Sequence, residues 1–150
     1  MIGRNSFTLI ELVVAITISV VVASFAFVNY KHGRSKTNEK IAAQQLVVIR
    51  EAMRGYRFRE GHYPDSSVDL TDVDNINDVL NVSISEDVAS FSCSGVVGGG
   101  SFSCTASALN SDPWELTASS SSLDGMPYCS ASSESDCLFC KSSINGGCPL

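Results

Sequence analysis

The sequence predicts an α+β fold: a long N-terminal helix, one half apolar and the other amphipathic, packed on a small antiparallel β-sheet with a disulfide-tied C-terminal loop region. Three observations predict it. Residues 12–30 carry no charge. An apolar stripe with helical spacing continues beyond them to Tyr56. After residue 90 the chain changes to short apolar or aromatic stretches broken by Gly and Ser, and all six cysteines lie there.

The first element is the apolar run. From Leu12 to Val28 the only polar residues are Thr17, Ser19 and Ser24, whose hydroxyls can bond back to helix carbonyls. The run has no Gly or Pro and suits the roughly 20 residues that a membrane-spanning helix needs. A cleaved secretory signal would have a shorter apolar stretch and a small-residue cleavage site behind it. Here "FVNYKHGRS" follows instead.

The helical period does not stop there. Ala42, Leu46, Ile49, Met53 and Tyr56 step by four and three, which places them on one helix face. Ile41, Val48 and Ala52 are expected to widen that stripe, and Arg50, Glu51, Arg54 and Arg57 to lie mostly outside it. One helix is therefore expected from Phe7 to Arg59, about 80 Å long at the usual rise. Gly61 and Pro64 punctuate its end.

The remaining elements are short. "DSSVDLTDVDNINDVL" is acidic and irregular, with a short helical turn expected. Stretches at 88–93 and 101–105, joined by Gly98, Gly99 and Gly100, give a hairpin signal. "DPWEL" and "MPYCSAS" read as further strands, separated by "ASSSSLDG". A small sheet of this kind offers the helix stripe a surface to bury against.

Charge and cysteines restrict the function. The 150-residue chain has a net charge of −6, and its length fits one domain. From Glu60 onward Lys141 is the only Lys or Arg, against thirteen Asp and Glu. A head this negative repels phosphate backbones, so no nucleic-acid binding is expected of it. Cys93, Cys104, Cys129, Cys137, Cys140 and Cys148 are an even set in a Ser/Gly-rich region, which reads as a disulfide framework in an oxidising compartment. Zinc would need paired knuckles, and Cys137-x-x-Cys140 stands alone. Cys93 and Cys104 flank the glycine turn and are expected to pair. The other four leave three pairings open.

No catalytic or cofactor motif emerges. His32 and His62 lack a Cys or Ser partner at motif spacing, and no serine stands in G-x-S-x-G. "GVVGGGS" lacks the Lys and following helix of a phosphate loop and reads as a flexible hairpin tip. A non-enzymatic protein without a cofactor is expected. Asp69, Asp72, Asp74 and Asp78 raise calcium, which wants several converging oxygens. However, Ile76 occupies the next ligand slot after Asp72-x-Asp74, and no Gly follows at the EF-hand position. Asp124, Glu134 and Asp136 are the later candidates for the same ion.

One residue remains unexplained by a plain anchor. Glu11 sits at the head of the apolar run, and a carboxylate in a membrane helix is costly, up to about 2.5–3.5 kcal/mol at its centre on insertion scales. Its surroundings, "SFTLIELVV", together with the span behind them, resemble the N-terminal signature of type IV pilins and of type II secretion pseudopilins. "GHYPDS" and "DPWEL", with the matches His62–Pro64 and Asp112–Trp114, resemble later features of the same family. The resemblance implies a pilin-like fold with a leader at 1–6, a membrane and filament-core helix at 7–30, its amphipathic continuation at 31–60 and a globular head at 61–150. It also implies cleavage by a prepilin peptidase between Ser6 and Phe7, with N-methylation of Phe7. Ser6 stands where the family usually has Gly.

The implied partners are other copies or related pilins in a filament, the inner membrane and the assembly machinery. The implied location is an inner-membrane single-pass precursor with its head outside the cytoplasm, then an extracellular filament or a periplasmic pseudopilus. Lys31, Arg34, Lys36 and Lys40 follow the span, which the positive-inside rule places on the cytoplasmic side. The oxidising environment needed by the cysteines and the cytoplasmic leader set the opposite orientation. In a stack of such helices the new amine at Phe7 can meet a neighbour's Glu11. Apolar helices alone slide in lipid, and a buried polar pair specifies their alignment. A type II secretion pseudopilin is the close alternative, and a bitopic anchored binding module the alternative of another class.

Overall fold

The computed structural model describes residues 8–109, 112–121, 126–131, 136–140 and 148, without the side chains of 26–29. The element order is α1 (Leu9–Glu60), α2 (Val73–Leu80), β1 (Ala89–Gly95), β2 (Phe102–Ala108), β3 (Glu115–Ser119) and β4 (Tyr128–Cys129). The chain divides into two compact units, Met1–Arg34 and Ser35–Leu150.

In the first unit α1 buries almost nothing within the chain. Leu9 is 82% exposed and Phe25 72%. Thr17, Ser19 and Ser24 donate to the carbonyls of Val14, Ala15 and Val20 at 2.8, 2.7 and 2.8 Å. Back-bonding of this kind satisfies each hydroxyl within its own helix.

The second unit holds the core. Ala42, Ala43, Leu46, Ile49 and Met53 of α1 are fully buried. They share one cluster with Phe91, Cys93, Phe102, Cys104, Ala106, Leu116 and Ala118 from the sheet, so α1 packs on the sheet as the period predicts. Two details differ. Ile41 and Val48 are 37% and 50% exposed. They lie one position before Ala42 and Ile49, and about 100° of helix turn carries them off the buried face. Arg50, expected outside the stripe, is buried. Its guanidinium bonds Glu51 at 2.9 Å, and its aliphatic stem can line the core while the charged end is paired.

Local chemistry ends each helix. Gly61, at φ 83°, closes α1, and its amide donates to the Arg57 carbonyl at 2.9 Å. Glycine is favoured where a helix turns left-handed. The acidic stretch forms α2. Asp72 is its N-cap, accepting from the Asn75 amide at 2.8 Å, and Asn81 closes it at φ 54°. Asn77 exchanges two hydrogen bonds with the Ile84 backbone, at 2.9 and 3.0 Å, and fixes the connection into β1.

The sheet is an antiparallel meander in the order β1-β2-β3-β4. In β1 and β2, Phe91, Cys93, Phe102 and Cys104 alternate inward, as a half-buried strand requires. Cys93 lies opposite Cys104 and the two are bridged. The last four cysteines pair in sequence, Cys129 with Cys137 and Cys140 with Cys148. The glycine turn is held rather than free. The Tyr63 amide donates to the Gly99 carbonyl at 2.9 Å, and a Cβ on Gly95 would collide with the Pro64 carbonyl. Tyr63 itself meets Phe102 edge-on, with ring centroids 4.8 Å apart. With the buried Trp114, "YP" and "DPW" thus serve packing in the head.

Candidate assembly site

The N-terminal stretch combines two features that rarely coexist. The apolar part of α1 is long enough to cross a membrane, and among its described residues none is buried within the chain. At its head Glu11 makes a reciprocal contact with Thr8. The Thr8 amide and hydroxyl donate to Glu11 Oε2 at 3.0 and 2.9 Å. The Glu11 amide points back at the Thr8 hydroxyl at 3.3 Å. Thr-x-x-Glu in this arrangement is a capping box, which satisfies amide donors that a helix start leaves free. The Thr8-Leu9-Ile10-Glu11 spacing ahead of an apolar run is the sequence signal for it, and the reading of Glu11 as a register residue passed over it. Ser6 and Phe7, between which cleavage is expected, lie outside the described residues.

Beyond the span, Lys31, Arg34, Lys36 and Lys40 are all exposed. Lys40 lies 5.7 Å over the Phe139 ring. Among the described residues the ion pairs are Arg50–Glu51 and Arg54–Glu51, so this basic stretch has no acidic partner there.

Among the described residues the calcium candidates do not gather as a ligand set. Asp72, Val73, Asp74, Ile84, Ser85 and Glu86 line an open cleft of about 280 Å³. Both Asp72 oxygens are engaged by Asn75, at 2.8 and 3.1 Å. Asp69 accepts from the Thr71 hydroxyl and amide at 2.7 and 3.1 Å, which holds its carboxyl below the usual range. Asp65 is lowered likewise by the Ser67 hydroxyl and amide, with a smaller effect from His62. Among the described residues no three His, Cys, Asp or Glu side chains converge as metal ligands. Asp124 and Glu134 fall outside the described residues.

His62 bonds the Tyr63 carbonyl at 2.9 Å and meets the Tyr56 ring edge-on, a packing role. His32 is exposed on α1.

One buried carboxylate was not predicted from the sequence. Glu39, fully buried, accepts from the amides of Leu138 and Phe139 through Oε2, at 2.7 and 2.8 Å, and from Cys140 through Oε1 at 2.7 Å. Its signal was positional. Ser35 and Glu39 continue the buried stripe backward from Ala42 and Ala43 by steps of three and four, and both are buried.

Residues 1–27 match the family model described as the prokaryotic N-terminal methylation motif. No curated protein and no solved structure matches the chain. The motif is the prepilin-like signal characteristic of type IV pilins and pseudopilins, a class of structural subunits, and supports that general class for this chain. Together with the apolar helix it fits a membrane-anchored precursor.

Proposed function

We propose that this chain is a pilin-like structural subunit, not an enzyme, that polymerises through its N-terminal helix into a type IV pilus-like filament. The observation that carries the reading is a single carboxylate, Glu11, at the head of an apolar helix face with no cover among the described residues of its own chain. Prepilin peptidase cuts between Ser6 and Phe7, Phe7 is N-methylated, and the head is carried on the non-cytoplasmic side. In the unassembled subunit Glu11 caps its own helix through Thr8. In the filament the same carboxylate receives the terminal amine of a neighbouring copy, which neutralises two charges in an apolar stack and sets the axial register. The capping box keeps the carboxylate partnered before assembly, which lowers the cost of holding it near lipid.

Mass spectrometry of the membrane or filament protein tests the processing. Residues 7–150 with a methylated Phe7 are expected, and the net charge moves from −6 to −7 because Arg4 is the only charged residue lost. An intact Met1, or a terminus beyond residue 28, would overturn the reading. The pseudopilin alternative shares all these steps and differs in a filament confined to the periplasm. Imaging of sheared surface filaments separates the two.

A further inference from the structure

We propose that the turn Leu138–Cys140 is a disulfide-dependent clasp on Glu39, so that α1 completes its packing in the head only when the two C-terminal bridges are closed. The inference stands independently of any filament role. Glu39 is fully buried, and none of the ion pairs among the described residues includes it. A carboxylate out of water is tolerated only where hydrogen bonds replace its hydration. Here three successive backbone amides do so, at 2.7, 2.8 and 2.7 Å. The burial of Glu39 therefore depends on the shape of one short turn.

That shape depends on the bridges. Cys137, just before the turn, is bonded to Cys129 in β4. Cys140, its last residue, is bonded to Cys148. The Cys148 amide donates to the Pro127 carbonyl at 2.9 Å, two residues before Cys129. Both ends of the turn thus hang from the stretch 127–129. Each bridge closes when two cysteine thiols give two electrons and two protons to a disulfide oxidant by thiol–disulfide exchange, and the oxidant leaves as a dithiol. With the bridges open the turn loses its anchors, the three amides no longer converge, and Glu39 is left as a buried charge without donors. The accessible relief is for Glu39 to reach water, which draws Ser35–Ala43 of α1 off the core.

Amide hydrogen exchange on the full chain in detergent micelles tests the clasp in the wild type, in Glu39→Gln and in Cys140→Ser/Cys148→Ser. The glutamine places an NH2 where one acceptor oxygen stood, facing an amide donor. Protection at Leu138–Cys140 is expected to fall about tenfold or more in Glu39→Gln, the scale of a lost charge-assisted bond. In the serine variant, protection is expected to fall at 138–140 and also at 35–43, while β1 and β2 keep theirs. Adding the serine changes to Glu39→Gln is expected to move 35–43 little further, because the coupling is already broken. Unchanged protection at 138–140 in Glu39→Gln would overturn the clasp. So would intact protection at 35–43 in the serine variant. Loss across β1 and β2 as well would also count against it, because the bridge would then be a general requirement of the fold.

Discussion

Glu39 and Cys140 lie 101 positions apart in the chain, yet the Cys140 amide donates to the Glu39 carboxylate at 2.7 Å in a buried setting. With the amides of Leu138 and Phe139 it ties the amphipathic half of α1 to the cysteine-rich tail. Glu39→Ala leaves three amide donors with no acceptor. The expected cost is about 2–4 kcal/mol of head stability, since water can reach some of the freed amides. Thermal unfolding of oxidised wild type and variant, followed by circular dichroism, measures it. A loss below about 0.5 kcal/mol, the scale of ordinary surface substitutions, would mean that the contact contributes little.

Glu11 has two candidate partners, and four substitutions tell them apart. Glu11→Gln keeps the capping box, because Gln serves at that position as Glu does, but it cannot neutralise a neighbour's amine. Thr8→Ala removes the cap hydroxyl and keeps the charge, at a cost of about 1 kcal/mol to the helix start. If the register reading holds, Glu11→Gln and Glu11→Ala lose filaments while the processed, disulfide-bonded protein stays in the membrane. Thr8→Ala keeps filaments, and Glu11→Asp falls between. Filament yield in sheared fractions, compared with protein left in the membrane, is the measurement. The reverse pattern, with Glu11→Gln competent and Thr8→Ala defective, would make Glu11 a cap and nothing more.

Two glycines near the hairpin tip should respond differently to a methyl group. A Cβ on Gly95 would collide with the Pro64 carbonyl, whereas one on Gly100 meets nothing within 4 Å. Gly95→Ala must push the 63–65 segment aside and is expected to cost about 1–3 kcal/mol, as overpacking usually does. Gly100→Ala should be neutral within about 0.5 kcal/mol. Denaturant midpoints of the two variants check the contrast, and equal midpoints would place the Pro64 contact in doubt.

Acid should weaken the head through the loop 65–71. Asp65 and Asp69 are held below their ordinary pKa by Ser67 and Thr71. A carboxyl lowered in the folded state contributes stability above its unfolded pKa, about 3.9, and loses that contribution as pH falls through the folded value. The contribution is therefore whole near neutrality and disappears below about pH 4. Ser67→Ala with Thr71→Val removes the hydroxyl donors, the larger cause of the lowering at both groups, and leaves the two backbone amides in place. The variant is expected to lose less stability than wild type between neutral and strongly acidic pH, measured by unfolding at each pH. Parallel profiles would show that these hydroxyls do not tune the acid response.

Much of the architecture was legible in the sequence because it follows from local chemistry. An uncharged run of helix-forming residues has one stable form in lipid, a helix that satisfies its own backbone. The stripe Ala42, Leu46, Ile49, Met53 has a period of 3.6, and Gly98–Gly100 between two apolar stretches turns the chain into a hairpin. The N-terminal signature was legible because its residues are contiguous. The rest was settled by distance in space. Whether Ile41 faces the core depends on how far the sheet wraps around α1, which no period reports. The pairing of the last four cysteines depends on where the loops after β4 return. In the sequence Glu39 stands between Lys36 and Lys40, and it is a buried anchor only because three amides from 99 to 101 positions away converge on it. A carboxylate and a turn of backbone donors carry no mutual signal in one sequence, since any residues can supply the amides. Only the folded chain brings them within hydrogen-bond reach.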